Sequence, residues 1–309
     1  FLPFFTEYEN DMKYIIGVDG GGTKTEAVAY DLKGNKISVG KAGYGNLLIN
    51  EKQAISNIIQ AIEQCITPID NGSCHYICLG LAGYGGVENP QGIKRALSKA
   101  FNAPFTIVND GIIAHAALLK GNDGILTISG TGSLSIGIHK GIEKSAGGWG
   151  HILGDEGSGY WIAMQAFIKM TKEEDEGYEY SHLTETILKK LGYHSVMQLK
   201  KFIYSATKSE IAAFVPLIVQ HAEKGDGFSQ NILNQAGYHL SKQTLEVIKK
   251  LKLSENVTIA IKGSILTNIP LVRSSFINHI KLKKPNVKFV LDDVSATLGG
   301  YYIAMKQLK

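Results

Sequence analysis

The chain has 309 residues, and at about 150 residues per domain this length predicts two domains. Lys and Arg total 32 against 28 Asp and Glu, so the net charge is +4, and 44% of residues are hydrophobic, as in soluble globular proteins. The short lysine runs at 249–252 and 281–284 are typical of solvated surfaces, so we expect no nucleic-acid partner.

Three cysteines close together, Cys65, Cys74 and Cys78, argue against a disulfide framework or a zinc ribbon. Without an uninterrupted 18-residue apolar span or a secretory signal, we expect a cytoplasmic protein that does not contact a membrane.

The first half of the chain follows a strand and helix pattern that begins after Met12. We exclude residues 1–11 from fold analysis because Met12 itself opens a clean strand pattern. Three strands come first, and a stripe of isoleucines at helical spacing then predicts a helix over 51–65. The predicted order is β-β-β-α-β-α-β-α, with elements at 14–18, 25–30, 36–39, 51–65, 76–79, 92–101, 106–108 and 111–119.

The same pattern restarts at Gly124, which indicates an internal repeat. A buried strand over 124–129, a glycine turn and a second strand over 134–139 match the opening of the first half. A helical insertion over about 160–251 follows, and then strands at 257–261 and 287–291 and a final helix. We therefore predict two α/β lobes with a cleft between them. The first spans 13–121 and is completed by the C-terminal helix 294–309, and the second spans 122–293.

The two glycine turns are the first chemical signal. The segment DGGGTKT at 19–25 is not a P-loop, because Thr23 stands where the lysine is required. It is not a dinucleotide-binding turn either, because a strand follows it instead of a helix. A glycine-rich hairpin turn lets backbone N–H groups approach an anion, and the hydroxyls of Thr23 and Thr25 can add donors. Asp19 is then placed to bind Mg²⁺, directly or through water, or else it is an Asx-turn residue.

The repeated turns carry a family resemblance. DGGGTKT and SGTGS at 129–133 resemble the two phosphate motifs of the actin, Hsp70 and hexokinase superfamily. The string GGWGH at 147–151, followed by GDEGSG at 154–159, is similar to the N-acetylglucosamine kinase branch, grouped with the BadF/BadG/BcrA/BcrD ATPases. The resemblance runs from Met12 to about Lys306. It implies duplicated ribonuclease H-like α/β lobes, each with a mixed β-sheet flanked by helices, and binding of ATP and sugar in the interlobe cleft.

This resemblance also implies an activity and a set of site residues. The activity is ATP- and Mg-dependent phosphorylation of an amino sugar hydroxyl, the 6-hydroxyl of N-acetylglucosamine first, with N-acetylmuramic acid or glucosamine as alternatives. A homodimer is common in the family. The implied ATP and phosphate residues are Gly21, Gly22, Thr23, Lys24, Gly130, Thr131, Gly132, Gly225 and Gly263. The implied sugar residues are Asn46, Asp110, Ser133, Gly148, Trp149, Gly150 and Asp155.

Asp110 is the candidate catalytic base. Phosphoryl transfer needs positioning, charge neutralisation and one group that accepts the proton of the incoming hydroxyl. Asp110 ends a strand and opens a helix, so the alternative is a plain helix N-cap. Trp149 has an alternative too, as a core aromatic. Leu134 stands where some relatives place a polar residue, so we expect one sugar contact of the family to be missing or replaced. We do not expect a catalytic role for His151 or Glu156.

Two other classes of function remain open. The same branch includes ATPase activators of acyl-CoA dehydratases and reductases, whose iron–sulfur cysteines follow the second phosphate turn, but this chain has no cysteine after Cys78. Cys74 and Cys78 are more typical of buried structural residues, and a ROK-type Cys-x-Cys cluster is absent. A non-catalytic sugar sensor would share the fold, but the presence of Asp19, Asp110 and both glycine turns argues against it.

Overall fold

The computed structural model describes residues 12–69, 72–253 and 256–308, so the excluded segment 1–11 lies outside it. Contacts divide the chain into two compact units. Among the described residues, one unit contains those up to Asn122 together with those from Asp293, and the other contains those within Asp123–Asp292. Each unit is built on a five-stranded sheet.

The first unit contains a mixed sheet. Its strands are β1 (Met12–Gly20), β2 (Thr25–Asp31), β3 (Lys36–Ala42), β4 (Gly72–Leu81) and β5 (Phe105–Asn109). They lie in the order β3-β2-β1-β4-β5. β1 pairs antiparallel with β2, which pairs antiparallel with β3, whereas β4 and β5 are parallel to β1. The helices are α1 (Glu51–Ile66), α2 (Gln91–Ala100), α3 (Asp110–Leu118) and α12 (Thr297–Gln307).

The second unit repeats this topology. Its strands are β6 (Gly124–Ser129), β7 (Ser133–His139), β8 (Ile142–Gly147), β9 (Thr258–Lys262) and β10 (Lys288–Val290), and they lie in the order β10-β9-β6-β7-β8. β6 pairs antiparallel with β7 and parallel with β9, as β1 pairs with β2 and β4. The predicted duplication of a mixed α/β sheet is therefore confirmed. The sequence analysis missed β8, because its residues do not alternate between apolar and polar.

The helical insertion lies between β8 and β9. Its helices are α4 (Gly159–Glu176), α5 (His182–Leu191), α6 (Leu199–Ser205), α7 (Lys208–Ala212), α8 (Val215–Glu223) and α9 (Gly227–Lys250). Two further helices, α10 (Ser264–Asn268) and α11 (Pro270–Lys283), connect β9 to β10. α4, α8, α9 and α11 share one apolar core with β6 and β9, in which Phe167, Leu240 and Phe276 are buried.

Each face of the first sheet is covered by helices. Alternate residues of β1 point to opposite faces, so Ile16 and Val18 pack with Ile58 and Ile62 of α1, while Ile15 packs beneath α12. α1 begins at an Asn50 cap that accepts the Gln53 N–H.

The C-terminal helix α12 is part of the first unit because glycines let it approach the sheet and α3. A Cβ on Gly17 would lie 1.9 Å from the Thr297 carbonyl oxygen, and one on Gly299 would lie 1.9 Å from that of Ile113. The Tyr30 and Thr297 hydroxyls are 2.7 Å apart, which fixes the start of this helix. Among the described helices, none combines the length and apolar character needed to cross a membrane.

Candidate active site

The first glycine turn connects β1 to β2 and is open to solvent. The Gly21 N–H donates to the Lys24 carbonyl oxygen at 2.9 Å, which closes the turn, and Gly22, Thr23 and Lys24 are exposed. A Cβ at Gly22 would contact nothing within 4 Å, so an anion has room beside the turn. Thr25 is fully buried, so of the two predicted hydroxyl donors only that of Thr23 is open to solvent.

Asp19 lies at the end of β1, directly before this turn, and its donor chemistry fits Mg²⁺. It is half-buried and pairs in register with Glu26 of β2, so the two carboxylates occupy the same face of the sheet. Glu26 forms an ion pair with Lys41 at 3.5 Å and accepts a hydrogen bond from Ser295. The described residues contain no group of three or more metal-ligating side chains. One or two carboxylates beside an anion-binding turn suit a magnesium ion that keeps its waters and phosphate ligands.

Asp110 lies at the same carboxyl edge of the sheet, where β5 ends. The neighbouring Asn109 is the N-cap of α3, and its side chain accepts the Gly111 N–H at 2.7 Å. The alternative interpretation of Asp110 as the N-cap is therefore wrong. Asp110 is the first residue of the helix, it is exposed, and its Oδ1 also lies 2.9 Å from the Gly111 nitrogen. A carboxylate at a helix N-terminus interacts favourably with the helix dipole.

Asn46 is held near this edge by the loop that follows β3. A Cβ on Gly45 would lie 2.7 Å from the Gly20 Cα, so only glycine allows the loop to approach the end of β1 this closely. The Leu47 N–H donates to the Ala82 carbonyl oxygen at 3.3 Å, which ties the loop to the end of β4. The half-buried Asn46 accepts the Leu48 N–H through its Oδ1 at 2.9 Å.

The second glycine turn occupies the equivalent position between β6 and β7. The Gly130 N–H donates to the Gly132 carbonyl oxygen at 3.0 Å, and the Gly159 N–H donates to the Gly130 carbonyl oxygen at 2.8 Å. The start of α4 therefore abuts the turn. Thr131 is exposed, and a Cβ at Gly130 would contact nothing within 4 Å. Like the first turn, this one leaves room for an anion.

The loop that follows β8 has a backbone that requires glycine at several positions. Gly147, Gly148 and Gly150 have φ values of 80°, 75° and 82°, which L-residues rarely adopt. Trp149 is 74% exposed, so the alternative interpretation as a core aromatic is wrong. Leu134 packs beneath this loop, because a Cβ on Gly148 would lie 2.9 Å from its Cδ1. Leu134 thus contributes an apolar packing contact at a position where some relatives are expected to have a polar residue that contacts the sugar.

Asp155 is buried beneath the second turn. Only 2% of the residue is exposed, and its φ of 64° lies in the left-handed region. Its Oδ1 accepts the Ser133 N–H at 3.1 Å, and its Oδ2 lies 2.5 Å from the Nζ of Lys208. The structure thus brings together Ser133 and Asp155, two residues of the predicted sugar site.

Sequence analysis missed two side chains at this position, Lys208 and Gln243. The Gln243 amide donates to the Ser133 Oγ at 3.1 Å, and that hydroxyl donates to the Glu156 carbonyl oxygen at 2.9 Å. Lys208 lies within a capping box, as the first residue of α7, between the N-cap Thr207 and Glu210. That box predicts the start of a helix, but not the contact between Lys208 and Asp155, which are 53 residues apart.

A cavity of about 560 Å³ lies in the second unit beside this turn. Gly130 and Thr131 form one end of it. The other lining residues come mainly from α7, α8 and α10, and include Ser209, Pro216, Val219, Gln220, Glu223, Ser264, Ile265, Asn268 and Ile269.

The two remaining predicted glycines differ in their relation to this cavity. Gly263, with a φ of 93°, precedes α10, and a Cβ there would lie 2.3 Å from the Ser129 carbonyl oxygen. Its contribution is to let α10 approach the turn. Gly225 lies between α8 and α9, outside the residues that line the cavity.

Comparison with known proteins places the chain in a family. The model of the BadF/BadG/BcrA/BcrD ATPase family matches residues 16–298. The N-acetylmuramic acid/N-acetylglucosamine kinase of Clostridium acetobutylicum is 32% identical over 304 residues, which cover 96% of this chain and 99% of that protein. The N-acetyl-D-glucosamine kinase of Dictyostelium discoideum is 30% identical over 321 residues, which cover 95% of this chain and 98% of that protein.

The fold is also found among solved structures. A candidate N-acetylglucosamine kinase of Chromobacterium violaceum matches with a TM-score of 0.73 at 24% identity, covering 95% of this chain and 99% of that chain. This likeness concerns the fold, whereas the family model and the two relatives confirm the resemblance carried by the GGWGH and GDEGSG segments. The chain belongs to the BadF/BadG/BcrA/BcrD ATPase family and has its duplicated, actin-like α/β fold.

Proposed function

We propose that this protein is an ATP- and Mg-dependent kinase that phosphorylates the 6-hydroxyl of N-acetylglucosamine. The observation that carries the proposal is the second glycine turn. One end of it borders the cavity of about 560 Å³, and the other leads to the buried pair of Ser133 and Asp155. A phosphate-binding turn between a nucleotide pocket and polar groups suited to a sugar is the arrangement that a sugar kinase needs.

The cavity is the proposed nucleoside site. Its volume lies within the roughly 300–1,000 Å³ of small-molecule pockets. Pro216, Val219 and Ile265 give it apolar walls suited to a base, and Gln220 and Asn268 supply amides for hydrogen bonds. The phosphates would then extend along the turn, whose backbone N–H groups favour an anion.

Polar groups suited to sugar hydroxyls lie in each unit at the carboxyl edge of its sheet. In the first unit, Asn46 supplies an amide and the exposed Asp110 a carboxylate. In the second unit, Ser133 and Asp155 supply a hydroxyl and a carboxylate, and because both are buried a sugar would reach them only by displacing the hydrogen bonds they make. Exposed Trp149, on its glycine-flanked loop, offers an apolar surface for a sugar ring.

Asp110 is the proposed catalytic base. The sugar oxygen attacks the terminal phosphorus of ATP, a new P–O bond forms, and the P–O bond to ADP breaks. The hydroxyl proton passes to the exposed Asp110 carboxylate, which also aligns the attacking oxygen. Mg²⁺ near Asp19, when bound, neutralises charge on the phosphates.

The decisive experiment measures ADP release from Mg-ATP with N-acetylglucosamine, N-acetylmuramic acid, glucosamine, glucose or no sugar. We expect N-acetylglucosamine to raise turnover far above the no-sugar rate, and Asp110→Asn to lose that stimulation. ATP hydrolysis that no sugar changes would contradict the proposal and favour an activator ATPase. The absence of both hydrolysis and sugar stimulation, with sugar binding retained, would favour a non-catalytic sensor.

N-acetylmuramic acid is the second candidate substrate, and basic residues near Trp149 favour it. A shallow pocket of about 550 Å³ is lined by Trp149 together with Glu143, Lys144, Ser145 and Lys250. Either ammonium group would suit the carboxylate that distinguishes this sugar from N-acetylglucosamine. If N-acetylmuramic acid is the substrate, Lys144→Met or Lys250→Met should raise its KM and leave that of N-acetylglucosamine unchanged.

A further inference from the structure

We propose that Lys208 is a catalytic residue that binds the terminal phosphoryl group of ATP during transfer. This inference rests on the kinase function proposed above and adds a cation to the second glycine turn, whose own residues at 129–133 include none. It follows from where the ammonium group lies relative to the second turn, the cavity and Asp155.

The ammonium group of Lys208 lies against the second turn. A Cβ on Gly132 would lie 2.8 Å from Lys208 Nζ and 3.1 Å from each carboxylate oxygen of Asp155. Gly132 does not have a positive φ, so its backbone conformation does not require glycine. The lack of a side chain instead makes room for the ammonium group of Lys208 and the carboxylate of Asp155 that pairs with it.

The two side chains of this ion pair differ in their exposure to solvent. The Asp155 side chain is 3% exposed, whereas that of Lys208 is 31% exposed. An incoming anion can therefore reach the ammonium group but not the carboxylate. An ammonium group has three donors, so Lys208 can keep its bond to Asp155 while it donates to a phosphoryl oxygen.

The order of residues along the turn indicates which phosphate Lys208 would contact. Gly130 and Thr131 line the proposed nucleoside cavity, and so does Ser209, the residue after Lys208. Gly132, which contacts Lys208, lies farther along the turn, and Ser133 bonds to Asp155. Lys208 is thus at the boundary between the nucleotide side and the proposed sugar side. This is where the transferred group, the terminal phosphoryl, has to be.

The alternative is a purely structural role, in which Lys208 only balances the buried charge of Asp155. The two roles make different predictions for nucleotides of different length. A lysine that binds the terminal phosphoryl group favours ATP over adenosine, whereas a lysine that only supports Asp155 affects every nucleotide alike.

The test compares Lys208→Met, Lys208→Arg and the control Lys172→Met, an exposed lysine of α4. Calorimetry would give the Kd for ATP, ADP and adenosine, and ADP release would give kcat and KM. We expect Lys208→Met to weaken ATP binding about ten- to a hundredfold, the scale of a hydrogen bond to a charged group, and to lower kcat. Adenosine affinity should stay at the wild-type value, and Lys208→Arg should recover part of the ATP affinity.

Two outcomes would overturn the inference. In one, Lys208→Met binds ATP as the wild type does. In the other, it loses affinity for ATP and adenosine equally, whether or not Lys208→Arg, which keeps the charge, restores both. The binding assay contains no sugar, so it does not depend on which sugar is phosphorylated. Normal sugar-dependent turnover in Lys208→Met would reject the role of Lys208 and leave the proposed kinase function intact.

Discussion

Asn109 and Asp110, neighbours at the start of α3, allow an effect on catalysis to be distinguished from an effect on stability. Asn109 is the N-cap, and its side chain accepts the Gly111 N–H at 2.7 Å. Asp110 is exposed and is the first residue of the helix. We expect Asp110→Asn to affect turnover far more than stability, and Asn109→Ala to do the reverse.

The magnitudes follow from these positions. Loss of the Asp110 charge removes a helix-dipole interaction of about 0.3–1 kcal/mol, and its exposure places it at the low end of that range. Loss of general-base help lowers kcat by about 10²–10⁴. Loss of an Asn N-cap costs about 0.5–2 kcal/mol, which lowers the Tm by a few degrees.

Both variants are to be measured by thermal unfolding and by ADP release with saturating N-acetylglucosamine and Mg-ATP. ATP affinity serves as a control for folding of the nucleotide site, and we expect it to be unchanged in both. Near-normal turnover in Asp110→Asn would refute Asp110 as the base. An equal loss of turnover in Asn109→Ala with intact stability would show that the position of the helix start, not the carboxylate, is what matters.

Three further predictions test the packing, the thiols and the sugar loop. Gly299→Ala should destabilise the first unit by several kcal/mol, because the new Cβ would lie 1.9 Å from a carbonyl oxygen of α3. The control Gly227→Ala should not, because a Cβ there has no atom within 4 Å. Thermal unfolding compares the stability of the two variants. Burial raises the pKa of Cys74 and Cys78 to about 12, so thiolate is scarce at pH 8 and iodoacetamide should label these thiols only in urea. Rapid labelling of the folded protein would contradict this. Replacing Trp161, the other tryptophan, by Phe leaves Trp149 as the only source of tryptophan fluorescence. Because Trp149 is 74% exposed, acrylamide should quench this fluorescence, and less strongly once N-acetylglucosamine is bound. Unchanged quenching would remove it from the sugar site.

Local patterns in the sequence were sufficient to predict the duplicated fold and both glycine turns. Strand alternation, the isoleucine stripe of α1 and the glycine turns depend on residues close together in the chain, so they can be found without coordinates. β8 was missed because its residues Glu143, Lys144 and Ser145 are exposed and polar. Pairing with β7 stabilises this strand, although its own residues do not form a recognisable strand pattern.

What only the tertiary structure decided is how distant residues meet at the second turn. Resemblance to family motifs identified Ser133 and Asp155 as site residues. Nothing in the sequence indicated that Asp155 is buried or that Lys208 contacts it from the helical insertion. The sequence analysis also considered only Asp110 as a possible N-cap of α3, whereas the structure shows that Asn109 is the cap; either side chain can serve as an N-cap. Local spacing determines turns, caps and amphipathic faces, whereas contacts between residues 53 positions apart depend on how whole helices pack.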